Sequence, residues 1–103
     1  MADWVKVLDK TAIAEGRLHR VVVSGEDIVL GVLDGRPFAI ENVCSHQEYP
    51  LHDGSITPAG KLKCRYHGVE FNPFTGDALN NASVFPVHAY KVELRDDGIY
   101  VLF

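Results

Sequence analysis

The chain's only two cysteines each stand beside a histidine, as Cys44-Ser45-His46 and Cys64-Arg65-Tyr66-His67, so neither thiol has a third to compete for it. Seventeen residues, Gln47 to Lys63, separate the two pairs. Thiolate sulfur and imidazole nitrogen are ligands that borderline and soft ions prefer. The C-x-H…C-x-x-H pattern therefore reads as a four-ligand metal site assembled from two hairpin tips, with the rest of the chain as the scaffold that presents them. The texture of the middle agrees. From Glu41 to about Phe85 the sequence is dense in Gly, Pro, Asn, Asp and His and has only short apolar pieces. Such a segment buries little by itself and needs another source of order, which a metal centre supplies.

The 103 residues suffice for one compact domain with a modest core, predicted to span 1–103. At 47% apolar and 23% charged, the composition is that of a globular protein rather than a disordered one. A net charge of −4, with no run of Lys or Arg, disfavours a nucleic-acid or anionic-membrane surface. Met1-Ala2-Asp3-Trp4-Val5-Lys6 lacks a basic region followed by an apolar run, so no signal peptide is expected. No apolar stretch approaches the roughly 18–20 residues needed to cross a bilayer. Two cysteines paired with histidines suit a reducing compartment, and a cytoplasmic location is expected.

The remaining pattern predicts an all-β chain. Trp4–Leu8 reads as a strand, Thr11–Gly16 as a loop or single helical turn, and Arg17–Val23 as a β-branched strand ending at a Ser24-Gly25-Glu26-Asp27 turn. Ile28–Leu33 is apolar on both faces, Asp34-Gly35 is a two-residue hairpin signal, and Phe38 and Ile40 lead the next strand towards Cys44. Thr57-Pro58-Ala59-Gly60 and Asn72–Asp77 are predicted turns. Tyr90, Val92 and Leu94 alternate with Lys91 and Glu93 as a half-buried strand, Asp96-Asp97-Gly98 turns, and Ile99, Val101 and Phe103 close the sheet. The layout expected is an antiparallel β-sandwich with a small metal-bearing subdomain, about residues 42–86, inserted between the fourth strand and the penultimate one.

The competing metal is structural zinc. Zinc sites of Cys and His usually come as like-with-like pairs, whereas here each loop gives one of each. That arrangement fits a two-iron centre, with Cys44 and Cys64 on one iron and His46 and His67 on the other.

Over nearly its whole length the chain resembles the Rieske [2Fe-2S] ferredoxins. The family pattern C-x-H-x15–17-C-x-x-H is met by Cys44, His46, Cys64 and His67, and Gly68 follows the second histidine as C-x-x-H-G requires. Phe71, Thr75 and Gly76 match its F-[DN]-x-x-T-G run, and Asp53-Gly54 its D-G before the second loop. Pro86–Val92 is similar to the stretch that covers the cluster. There are departures: Arg65 replaces a frequent proline, and Asn80–Ser83 lacks the usual extra prolines. Val69 stands where high-potential relatives place serine, and their extra disulfide is missing, which implies a potential near the low end of the Rieske range, on the order of −150 mV.

The resemblance implies a Rieske-type fold, one [2Fe-2S] cluster per chain held by Cys44, His46, Cys64 and His67, and a carrier of single electrons rather than an enzyme. Its partners would be an NAD(P)H-dependent flavoprotein ferredoxin reductase and a terminal oxygenase, above all an aromatic-ring-hydroxylating dioxygenase, visited in turn by a monomer. Alternatives are the same carrier for a di-iron monooxygenase and the small subunit of a nitrite reductase. From another class comes a zinc-stabilised interaction module. His19 and His88 read as surface or half-buried residues. His52 is close enough in sequence to the first loop to line an approach to the site. Gln47 and Glu48 would border a docking patch, Tyr66 would pack beside the centre, and Gly68 would admit backbone N–H groups where a Cβ interferes. Trp4, Phe71, Phe74 and Phe85 are expected in the core or over the cluster.

Overall fold

A computed structural model describes residues 3–44, 50–65, 68–79 and 85–102. Nine strands are formed there: β1 (Trp4–Asp9), β2 (His19–Val23), β3 (Glu26–Leu33), β4 (Arg36–Glu41), β5 (Ser55–Ile56), β6 (Leu62–Lys63), β7 (Glu70–Phe71), β8 (Val92–Arg95) and β9 (Gly98–Leu102). They make three antiparallel three-stranded sheets in the orders β1-β9-β8, β2-β3-β4 and β5-β6-β7. The fold is all-β, as the sequence pattern requires.

The β2-β3-β4 sheet is the middle layer, and side-chain alternation explains why. All of Ile28–Val32 is buried in β3. Ile28, Leu30 and Val32 pack with Ile99 and Val101 of β9 in one core. Val29, Phe38 and Ile40 point the other way, into a second core shared with Leu62 and Phe71 of the small β5-β6-β7 sheet. Successive residues of a strand face opposite sides, so one continuous apolar run serves both cores. Each such side chain is worth roughly 1.5–3 kcal/mol of burial.

The hairpins follow local chemistry. Ser24 and Gly25 (φ 51° and 81°) and Asp34 and Gly35 (φ 53° and 75°) take the left-handed pairs that match the twist of tight hairpins. The first turn is therefore Ser24-Gly25 alone. Glu26 and Asp27 already belong to β3, opposite Val23 and Val22, because two left-handed residues suffice to reverse the chain. Thr57–Gly60 joins β5 to β6, with the Gly60 N–H donating to the Thr57 carbonyl at 2.8 Å. At the Asn72 turn, the side-chain oxygen of Asn72 accepts from the Phe74 and Thr75 amides at 2.8 and 3.2 Å.

Several expectations change at the edges. The turn before β1's partner strand is Asp96-Asp97, and Gly98 already opens β9. Tyr90 precedes β8: its N–H donates to the Ala39 carbonyl at 2.8 Å and its hydroxyl to the Glu26 carboxylate at 2.7 Å. Burial, then the Glu26 carboxylate, raises its pKa. Leu94, expected on the buried face of β8, is exposed. Trp4 is 39% exposed and Phe85 76% exposed, so neither belongs to the core. Arg95 lies over the rings of Trp4 and Tyr100, at 5.5 and 4.1 Å from their centroids, which accommodates Trp4 on the outer face. Phe103 lies outside the described residues. Among those described, no helix is long and apolar enough to cross a membrane.

Candidate metal centre

Cys44 stands three residues beyond the end of β4. Glu41 is fixed there by two bonds to one residue: its N–H donates to the His88 carbonyl at 2.9 Å, and its carboxylate accepts the His88 amide at 2.5 Å. The chain then passes through Asn42, buried and hydrogen-bonded, to Cys44, which has no exposed surface. Cys44 thus stands on the passage from the middle sheet to the 3₁₀ turn at Leu51–Asp53 that precedes β5. That passage crosses between sheets. The expectation of two hairpin tips is corrected on this point, because β4 and β5 belong to different sheets and do not pair.

Cys64 does come from a hairpin. It follows β6, and β7 returns beside it, with Leu62 opposite Phe71 and Lys63 opposite Glu70. The loop is closed from within: the Cys64 N–H donates to the Val69 carbonyl at 2.8 Å, and the Gly68 N–H to the Cys64 carbonyl at 3.1 Å. Gly68 has φ 66°, the left-handed conformation glycine adopts without penalty. A Cβ there would meet only the Lys63 side chain at 3.6 Å. Backbone conformation by itself already favours glycine at this position.

Both cysteines have 0% exposure and belong to the same buried cluster, with Ile40, Leu51, Leu62 and Val69 among its members. Neither is in a disulfide. Two thiols gathered in an apolar shell at the roots of two loops suit soft-metal ligation. An open cleft of about 270 Å³ lies beside the buried Cys64, bordered by Asp53, Gly54, Ser55, Lys63 and Arg65. His46 and His67, the other two expected ligands, lie outside the described residues, as do Gln47, Glu48 and Tyr66. Among the described residues no group of three or more His, Cys, Asp or Glu gathers as a metal site.

The other histidines separate cleanly. His88 is exposed, its ring edge-on to Tyr90 at 4.5 Å. His19 is half-buried with Nε2 shielded and without a partner among the described residues, and burial followed by the Arg17 charge lowers its pKa. His52 is half-buried, with Nδ1 2.7 Å from the Asn42 amide nitrogen. Asn42 is the residue sequence reading missed. The signal was partly available, as Glu41 and Asn42 are the polar pair between the apolar Phe38–Ile40 and Val43-Cys44, and Asn42 is the uncharged one. Phe74 is half-buried, edge-on to Phe38 at 6.0 Å and covered by Arg36 at 4.0 Å from its centroid. Phe71 is fully buried.

Comparison with known proteins places this geometry. The Rieske [2Fe-2S] domain profile matches residues 3–91. The chain is 28% identical over 93 residues to the ferredoxin component of the naphthalene 1,2-dioxygenase system of Pseudomonas putida, covering 90% of this chain and 88% of that protein. It is 36% identical over 70 residues to the toluene-4-sulfonate monooxygenase system iron-sulfur subunit of Comamonas testosteroni, covering 68% of this chain but only 20% of the longer protein. Among solved structures, the ferredoxin of carbazole 1,9a-dioxygenase from Nocardioides aromaticivorans superposes with a TM-score of 0.87 at 27% identity, over 95% of both chains. A chain in the complex of reduced oxygenase and oxidized ferredoxin in carbazole 1,9a-dioxygenase matches at 0.84 and 26% identity, over 95% of this chain and 91% of that one.

Proposed function

As the chain belongs to the Rieske [2Fe-2S] family, we propose that it is the ferredoxin of a multicomponent oxygenase, an electron carrier and not itself an enzyme. It takes single electrons from an NAD(P)H-dependent flavoprotein reductase and delivers them to a terminal oxygenase, an aromatic-ring-hydroxylating dioxygenase by preference. The observation that carries this is the pair of sealed, disulfide-free cysteines in a fold that matches a dioxygenase ferredoxin over 95% of both chains. Two relatives support the partner side: the naphthalene system's ferredoxin component, and the complex of reduced oxygenase and oxidized ferredoxin in carbazole 1,9a-dioxygenase.

In this reading Cys44, His46, Cys64 and His67 hold one [2Fe-2S] cluster, within a subdomain of about residues 42–86 of a single domain spanning 1–103. The cluster, when bound, supplies a one-electron couple. The chain's own residues do the rest. Cys44 and Cys64 donate sulfur from a shell where Leu51, Leu62 and Val69 exclude water. The Cys64–Val69 and Gly68–Cys64 backbone bonds fix the second loop before any ligand binds. Val69 offers carbon where a hydroxyl would stabilise the reduced state, which favours a low potential. The setting is the cytoplasm, and the carrier works as a monomer.

Purification followed by iron and acid-labile sulfide assays tests the reading. The expected result is a brown protein with two irons and two sulfides, a Rieske EPR signal on reduction, and a midpoint on the order of −150 mV. Reduction by NAD(P)H with a flavoprotein reductase should then support product formation by an added oxygenase. Cys64→Ser and His67→Ala should each abolish the cluster. A colourless zinc protein, or a normal spectrum in either variant, would overturn the assignment.

A further inference from the structure

We propose that Asn42 is a positioning residue whose side-chain amide, acting through His52, clasps together the two ends of the segment that carries Cys44 and His46. The inference rests on the cluster reading above and deepens it. Asn42 is only 6% exposed, the one polar residue in the core among those described, and every polar atom of its side chain is engaged. Its amide nitrogen donates to Asp27 Oδ1 at 3.1 Å and to His52 Nδ1 at 2.7 Å. Its carbonyl oxygen accepts the His52 backbone N–H at 2.7 Å. Its own backbone N–H donates to the Asp27 carbonyl at 2.9 Å.

These contacts fix the chemistry of each member. Turning the amide over would set its carbonyl against the Asp27 carboxylate and its NH₂ against the His52 N–H, so only one orientation bonds throughout. That orientation makes His52 Nδ1 an acceptor and leaves the ring proton on Nε2, which lies 3.4 Å from Asp53 Oδ1. Asp27 is in turn held by Arg20, whose guanidinium donates to both carboxylate oxygens at 3.0 Å. One chain of bonds therefore runs from β2 through β3 and the end of β4 to the 3₁₀ turn before β5.

Its placement gives it a function beyond general stability. Between Glu41 and Leu51 no described residue belongs to a strand or helix. The bonds between 42 and 52 bridge this stretch, and in sequence they enclose both expected ligands of the first loop. Groups bonded directly to metal ligands typically change metal affinity by about 10–100-fold when removed, and a tie on the ligand loop's ends is expected to act in the same direction.

The test uses the holoprotein with four variants: His52→Leu, His52→Asn, Asn42→Asp and Asn42→Leu. Asparagine at 52 keeps an acceptor near the position of Nδ1, whereas leucine removes it. Asn42→Asp keeps the shape, loses both donors and sets a second carboxylate against Asp27. The rate of cluster bleaching in excess chelator should rise about tenfold or more in His52→Leu and Asn42→Asp, and stay within about twofold of the parent in His52→Asn. Hydrogen exchange of the peptide spanning 43–53 should accelerate in the same order, while β3 and β4 stay protected. Asn42→Leu, if it folds, should behave as His52→Leu. Unchanged bleaching in His52→Leu, or no rescue by His52→Asn, overturns the clasp. A parent protein without acid-labile sulfide overturns the cluster reading, and the clasp's role with it.

Discussion

Single atoms decide where glycine is indispensable. A Cβ on Gly54 would stand 2.1 Å from the Lys63 carbonyl, although its φ of −81° is open to any residue. Gly60 is the converse, with φ 78° and nothing within 4 Å of a built Cβ. Gly54→Ala is therefore pure collision and Gly60→Ala pure backbone strain. Denaturant unfolding should show Gly54→Ala costing about 3 kcal/mol, since a β5–β6 backbone contact must open. Gly60→Ala should cost about 1–2 kcal/mol. Equal losses would mean that the close approach of Gly54 to Lys63 is not maintained. Sequence could name both residues as turn glycines. It could not tell which was pressed against a carbonyl, because that carbonyl is on the partner strand.

At the scale of elements, β3 and β4 divide their side chains between two cores. Leu30 faces β9, and Ile40 faces the cysteines. Truncating either to alanine removes a fully buried side chain and should lower stability by about 2–5 kcal/mol. The two should part company at the metal centre. Ile40→Ala should also speed the decay of visible absorbance, because its cavity opens in the shell around Cys44 and Cys64. Leu30→Ala should leave that decay near the parent rate under native conditions. Matching decay in the two variants would show that the cores are not separable. The alternation that licenses this contrast was plain in the sequence as an apolar run. Its division between two neighbours was not, since a run buried on both faces does not say what lies on each.

For the whole molecule, order is unevenly distributed. The sheet of β5, β6 and β7 has two residues per strand, against five to eight in the β2-β3-β4 sheet's first two strands. So short a ladder draws its order from the shared core and, in the proposed holoprotein, from metal ligation. Removing the metal should raise hydrogen exchange across 55–71 by tenfold or more, on the order of 1–2 kcal/mol of lost protection, while 28–40 stays slow. Uniform exchange across both regions would mean that the small sheet is as self-sufficient as the large one.

Membership of the Rieske [2Fe-2S] family was legible from the start because its motif depends on residue type and spacing, both local in sequence. Two cysteines with neighbouring histidines, a middle dense in Gly, Pro, Asn, Asp and His, and flanking strands pointed to a metal-bearing all-β domain. Hairpins such as Asp34-Gly35 were equally local, since a left-handed pair needs only its own two residues. Tertiary structure decided what depends on neighbours distant in the chain. It assigned the first loop to a crossing between sheets, left Trp4 and Phe85 on the surface, and buried a lone asparagine to join Asp27 with His52. A side chain's burial and its partners are set by whichever elements pack against it, and no short window of sequence contains those elements.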